Sequence, residues 1–376
     1  MGERRPLVSV VTSARGNGAR IRHLLTALTE QSLPPERLEV VLVDNDPRGR
    51  HGAVAIAAHG TWPFPVRVVR EARAGASRGR NRGILTARGR FVALTDPDIT
   101  PSPGWLTTLT DAAQQEGAAV VGGRTDTVYP DGTVVPLQDS SARPLRECHG
   151  PLEWPEQRTR YGWPYWLTTA NMLIDRASAL RVGPFRTDLG RRGRLLLDCE
   201  DLEWVDRAVQ RGLTAVIEPA AVVTHPVGRG ETTARWFLAQ GICHGICVAR
   251  MHSSVRVHHA AIRADREAAA FALESLVMGW GFLDRAAAVG GMRDLARIGA
   301  YHAERIRLLG RRPPLVSPLF AALVEHFGAL TGVPVVLNTS FNDHEPIVET
   351  PADALATFQA GELDALFLGD YLVEKI

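Results

Sequence analysis

Short apolar blocks alternate with helically spaced apolar positions through the first half of the chain. LVSVVTS, LEVVLVDND, VRVVRE and RFVALTDPD read as strands. Between them GARIRHLLTALTEQ, HGAVAIAAHG and ASRGRNRGILTA read as helices. Such a βαβαβ series predicts a mostly parallel sheet with right-handed crossovers. PGWLTTLTDAAQQEG and AAVVGGRTDTV add a further helix and strand. From Pro130 to Arg160 the pattern lapses into Pro, Asp, Ser and Arg, which predicts a long loop. Order resumes with YWLTTANMLIDRASALRVG, the acidic helix in LLLDCEDLEWVDRAVQRG and the strand TAVIEPAAVVTHP. After Gly230 the spacing is helical to about Gly310, where RRPP breaks it. The tail reads as helix, strand VPVVLN, helix and final strand. The expected organisation is an α/β domain over 1–230, a helical region over 231–312 and a small α/β tail over 313–376, with no repeats.

Composition narrows the class. At 376 residues, 45% hydrophobic and 22% charged, this is an ordinary globular composition. A net charge of +2 gives no reason to expect nucleic acid as a partner. The basic residues are almost all arginine, Lys375 being the only lysine. Cys148, Cys199, Cys243 and Cys247 are too few and scattered for a disulfide framework. The opening MGERRPLVSVV has too short an apolar run for a signal peptide. Ala268 to Leu283 is interrupted by Glu274 and falls short of the roughly 20 residues that span a bilayer. A buried or interfacial helix in a cytoplasmic protein is expected, with no integral membrane association.

The chemistry sits at strand ends. Asp44 closes the second strand in VDND, Asp96 and Asp98 follow FVAL in TDPD, and His225 follows the strand AAVV. In a parallel sheet these positions share the carboxyl edge, where open α/β folds bind ligands. Carboxylates and an imidazole grouped there suit a nucleotide with a divalent ion such as manganese or magnesium.

VREARAGASRGRNRGILTARGRFVALTDPDITPSPGWL resembles the donor-binding half of family-two glycosyltransferases, inverting enzymes of the GT-A fold, with their G-x-S-x-x-R-N-x-G helix and D-x-D loop. TTANMLIDRASALRVGPFRTDL and CEDLEW are similar to the acceptor half, so the likeness runs from about Leu7 to Val227. It implies a GT-A nucleotide-sugar-binding fold. Asp44 would accept a hydrogen bond from the nucleobase, with the backbone near Thr12 and Ala14 walling the pocket. Gly75, Arg80 and Asn81 would lie near the ribose and diphosphate, where a helix N-terminus favours phosphate. Asp96 would face the ribose or metal-bound water, and Asp98 and His225 would ligate the metal. Asp201 would be the base that deprotonates the acceptor, with Glu200 and Asn171 binding it. The expected donor is a UDP-sugar and the expected acceptor a small soluble molecule of natural-product (antibiotic) biosynthesis. A sugar nucleotidyltransferase, or a scaffold that binds the donor without turnover, is the alternative.

Two segments remain. CHGIC places Cys243 and Cys247 four apart beside His244, a spacing more usual in buried helices than at structural zinc. The tail from about Ser317 to Lys375, with NTSFN, EPIV and PADA, resembles the C-terminal end of O-carbamoyltransferases. Those enzymes use a much longer chain, with metal-binding histidines and phosphate-binding basic residues that include lysine; here neither the length nor the lysine is available. The tail is therefore expected to pack on the helical region or a second subunit, leaving room for a homodimer through the helical or C-terminal region. The polar loop NTSFNDHEP would reach an acceptor if it faced the sheet edge; otherwise it is a turn-rich connector carried over from a lost activity, and the connector is the first expectation.

Overall fold

The computed structural model describes residues 5–15, 18–46, 59–138, 140–162, 164–251, 272, 275, 284–311, 365–368 and 371–374. The chain divides into two compact units, Met1–Arg305 and Ile306–Ile376. The first is built on a nine-stranded mixed sheet.

Four strands run parallel at one end of this sheet. They are β1 (Val8–Ala14), β2 (Leu38–Asp44), β3 (Val66–Arg70) and β4 (Phe91–Thr95), in the spatial order β3-β2-β1-β4. Consecutive apolar residues of β1 and β2 are buried on opposite faces, as a sheet covered on both sides requires. Val8, Val10, Val40 and Leu42 meet Ile21, Leu24, Leu25 and Leu28 of α1 (Gly18–Thr29) and Trp105, Leu106 and Leu109 of α3 (Trp105–Gln115) in one core. Val11, Val41, Val43, Val92 and Leu94 form the other core, with Ile84 of α2 (Ala76–Thr86) and Trp204 of α6 (Glu200–Gln210).

Beyond β4 the sheet is not parallel. The order continues β8-β6-β9-β5, with β8 (Asn171–Asp175) antiparallel to both neighbours, β4 and β6 (Val120–Val128). The excursion after β6 leaves the chain at the carboxyl edge, so the next strand must run back from there. This excursion is not the featureless loop that its composition predicts. It contains the short helix α4 (Arg143–Arg146), flanking 3-10 turns and the two-residue strand β7 (Thr159–Arg160). Val135, Leu137, Ala142 and Leu145 bury against Phe237 of α7 (Ala234–Met251). After α5 (Arg176–Val182) and α6, strand β9 (Ala215–Pro226) runs parallel to β6.

The β6–β9 pairing shifts register. Gly123 pairs with Glu218 but Arg124 pairs with Val222, so three extra residues of β9 are accommodated. The extra residues are held by Asn171, whose amide donates to the carbonyls of Arg124 at 2.8 Å and Ala221 at 2.9 Å. Further on, β5 (Thr100–Pro101) pairs antiparallel with Thr224 and Val223 of β9, which lashes the loop after β4 to the end of β9.

The helical region after β9 contributes α7 and the long α8 (Arg285–Arg311). In the second unit, Ala365–Leu368 (β10) and Tyr371–Glu374 (β11) form an antiparallel hairpin where one final strand is expected. The expected helix HGAVAIAAHG falls almost wholly outside the described residues, as do VPVVLN and NTSFNDHEP; of Ala268 to Leu283 only Ala272 and Ser275 are described, both helical. Among the described residues no helix is long and apolar enough to cross a membrane.

Candidate active site

A cleft of about 1260 Å³ lies along the carboxyl edge of the parallel strands. Arg80, Asp96, Asp98, Glu200, Asp201 and His225 all line it. They come from four segments, α2, the loop after β4, the start of α6 and the end of β9, and the topology explains how they meet. The TDPD loop turns through an Asp96 O to Ile99 N–H bond and is pinned by Ile99, which is fully buried. It then enters β5, and β5 pairing with β9 sets Asp98 Oδ1 3.9 Å from His225 Nε2. Arg20 of α1 closes the other side, donating to Asp98 Oδ2 at 2.7 Å.

Burial, and next to it the charge of Asp96, raise the Asp98 carboxyl above its usual range, while His225 and Arg20 pull it down. Crowded carboxylates beside an imidazole that can offer a lone pair make a donor set suited to a divalent cation. The residues present therefore fit the expected metal.

The catalytic candidates open α6. Cys199 precedes the helix in a left-handed conformation, φ 65°, the only non-glycine residue with positive φ among those described. This turn aims Glu200 and Asp201 inward. Arg80 donates to Glu200 Oε1 at 2.5 Å and to Asp96 Oδ1 at 3.3 Å, so one buried guanidinium joins the acids of two loops. Asp201 accepts backbone N–H bonds from Leu202 at 2.9 Å and Thr169 at 3.3 Å. Burial and the adjacent Glu200 nevertheless push its carboxyl up to about 7, against the opposing pull of Arg80 and of the two backbone bonds. A carboxyl titrating there can hold or release a proton at neutral pH.

The remaining sequence-predicted residues stand behind the cleft wall. Thr12, Ala14 and Asp44 are buried at the ends of β1 and β2, and Asp44 accepts the backbone N–H of Asp46 at 3.1 Å. Their neighbours Ser13 and Asn45 form the wall instead. Asn81 clasps the backbone of Phe185, donating to its carbonyl at 2.9 Å and accepting its N–H at 2.8 Å. Asn171, expected to bind acceptor, accepts from Trp105 Nε1 at 2.7 Å besides its two bonds to the register shift. Its polar atoms are engaged within the core. Arg80 likewise faces carboxylates where phosphate contact was expected. The first N–H of α2, on Ala76, donates to Arg191 O at 2.8 Å, so that part of the expected phosphate cradle is occupied by the protein itself.

Three contributors were not singled out from sequence. Asn45 accepts the Gly75 N–H at 2.8 Å and donates to Glu71 O and Arg73 O, fixing the approach to α2. Gly75 takes φ 146°, a conformation side chains disfavour. Gly79 lets α2 press against β1, since a Cβ there would lie 2.0 Å from Ser13 Oγ and 2.6 Å from Ser13 Cβ. The third is Arg20. The asparagine following a strand-ending acid in VDND was the available signal for Asn45; nothing local marked Arg20.

Residues 9–189 match the model of glycosyl transferase family 2, and residues 306–375 match the carbamoyltransferase C-terminus. The chain is 24% identical over 222 residues to glycosyltransferase AglE of Haloferax volcanii, covering 59% of this chain and 67% of that protein. It is 28% identical over 239 residues to the succinoglycan biosynthesis protein ExoM of Rhizobium meliloti, covering 62% and 72%. A mannosyltransferase structure from Pyrobaculum calidifontis aligns with TM-score 0.48 and 18% identity over 87% of this chain and 81% of that one. The family match ends at Leu189, so Glu200, Asp201 and His225 are placed by geometry and not by that match. Residues 9–189 are thus similar to glycosyl transferase family 2 over just under half of the chain, and the chain is a glycosyltransferase that carries a carbamoyltransferase-like C-terminal segment.

Proposed function

We propose that the chain is a metal-dependent inverting glycosyltransferase that moves a sugar from a nucleotide sugar to an acceptor hydroxyl, with Asp201 as general base. The observation that carries this reading is Asp201 itself. It is a cleft-lining carboxylate raised to about 7, in the same cleft as Asp96, Asp98 and His225.

Asp201 would take the proton of the acceptor hydroxyl as that oxygen forms its bond to the anomeric carbon. The bond from that carbon to the diphosphate oxygen breaks on the opposite face, which inverts the centre. Glu200 is held by Arg80 and acts less as an acceptor ligand than as a fixed charge beside Asp201. Asp98 and His225 would hold the divalent ion, which when bound offsets charge on the leaving diphosphate. Arg20, which donates to Asp98, would turn toward the same phosphates. The nucleobase would sit over the ends of β1 and β2, with Ser13 and Asn45 at the surface and Asp44 behind them.

The donor is read as UDP-linked and the acceptor as a small molecule of natural-product (antibiotic) biosynthesis. Incubation with a panel of nucleotide sugars and manganese, with NMR of the anomeric proton, tests the whole. Metal-dependent donor hydrolysis or transfer with inversion is expected. Retention at the anomeric centre, or release of pyrophosphate from a nucleoside triphosphate and a sugar phosphate, would replace this reading.

A further inference from the structure

Beside the acids at the start of α6 lies a second cluster of donor atoms. Asp198, Cys199 and His244 each present one ligand atom, and these lie within 4.8 Å of one another. His244 Nδ1 is 2.9 Å from Asp198 Oδ2 and 3.7 Å from Cys199 Sγ, and Cys199 Sγ is 3.2 Å from Asp198 Oδ1. Tetrahedral coordination with bonds of about 2.0–2.3 Å places ligand atoms about 3.3–3.8 Å apart. The sulfur–nitrogen distance of 3.7 Å already has that spacing, and Asp198, which meets His244 and Cys199 through different oxygens, would turn one of them toward both.

The surroundings hold it in that arrangement. Asp198 receives the Gln240 amide at 3.1 Å, and Gln240 in turn receives Arg293 Nε at 3.0 Å. Cys247 Sγ accepts the Asp198 backbone N–H at 3.3 Å and thereby fixes the turn without joining the cluster. Cys199 adopts its left-handed backbone where glycine would be less strained. All three donors line the cleft, so a fourth coordination position would open into it.

We infer that Asp198, Cys199 and His244 bind a divalent ion of the zinc class, at a site distinct from the oxygen-rich one at Asp98. A thiolate, an imidazole and a carboxylate with one open position is a donor set that selects zinc over magnesium or manganese. On binding, the S–H bond of Cys199 gives way to a sulfur–metal bond and the proton leaves to solvent. The ion would tie the turn before α6 to α7, and so fix the base-bearing helix start from outside the reacting centre. Unlike the CHGIC pairing considered from sequence, the site uses one residue of that motif, His244, and neither of its cysteines.

The test uses the full chain, stripped with chelator and titrated with cobalt(II). Visible d–d bands and a near-ultraviolet sulfur-to-cobalt charge-transfer band should saturate at one thiolate site and be displaced by zinc. Both should be lost in Cys199→Gly, which keeps the left-handed backbone, and in His244→Ala, with circular dichroism showing that each is folded. Both should persist in Asp98→Asn, Cys243→Ser and Cys247→Ser. No charge-transfer band in the folded parent chain would overturn the inference. So would a band that survives Cys199→Gly, or one that vanishes in Cys247→Ser, which would move the site to the helical cysteine pair.

Discussion

Asp201→Asn separates the chemical role of this carboxylate from the cost of burying it. The rise from an ordinary 3.8 to about 7 corresponds, at about 1.4 kcal/mol per tenfold in proton affinity, to at most about 4 kcal/mol of preference for the neutral acid. Linkage gives the sign. Between about pH 4 and pH 7 the folded chain keeps a proton that the unfolded chain releases. Stability is therefore highest at the acid end of that window, falls as pH rises through about 7, and levels off above it. Asparagine removes the decline but offers one acceptor atom to the two backbone donors, Thr169 and Leu202. Losing one such bond costs about 1–3 kcal/mol, so the net gain expected at pH 8 is about 1–3 kcal/mol. Urea unfolding followed by tryptophan fluorescence measures it, since all eight tryptophans precede Ile306. In parallel, kcat/KM of the parent chain should rise with pH to a plateau above about 7, the value for the free enzyme. In Asp201→Asn it should be roughly 100-fold lower or less still, with the inflection gone. A variant destabilised equally at pH 5 and pH 8, or one that keeps the inflection, would refute this reasoning.

Other perturbations probe the rest of the site. Asp98→Asn should weaken manganese-dependent donor binding sharply and abolish transfer, as read by calorimetry and product formation; near-parental activity would remove Asp98 from the metal site. Arg80→Met leaves Glu200 buried without its cation and should cost about 3–5 kcal/mol in urea unfolding, most of it recovered when Glu200→Gln is added. Gly79→Ala should cost about 1–3 kcal/mol, because Ser13 Cβ at 2.6 Å cannot rotate away from the added methyl. Carbamoyl phosphate with ATP should yield no carbamoylated product by mass spectrometry.

Much of the site was legible because strand ends advertise themselves. Asp44, Asp96, Asp98 and His225 each follow an apolar block, and the topology does bring their strand ends to one edge. The Asp98–His225 pair owes its closeness to β5, a two-residue strand too short to leave a periodic signal. The reversal of β8 was hidden because a short buried strand reads the same in either direction, and only the path of the preceding excursion decides it. The bracing roles of Asn171 and Asn81 were hidden for a related reason. An amide can bind a ligand or brace a loop, and which it does depends on carbonyls that come from over 45 residues away. The cluster around His244 was half visible: CHGIC drew attention to the helix, whereas Asp198 and Cys199 arrive from another segment.

The register shift in β9 has a consequence for how this fold can change. Before the shift, Ala215 to Glu218 are locked to β6 pair by pair; beyond it, Val222 to Pro226 pair again with a new offset. The three residues between them absorb a change in chain length without disturbing the strand below. An insertion or deletion at Pro219 to Ala221 would thus be taken up there, leaving His225 paired with Thr127 and the strand below in place. The position of the imidazole is in that sense insulated from the length of the chain before it, because the bulge and not the paired segment above takes up the change.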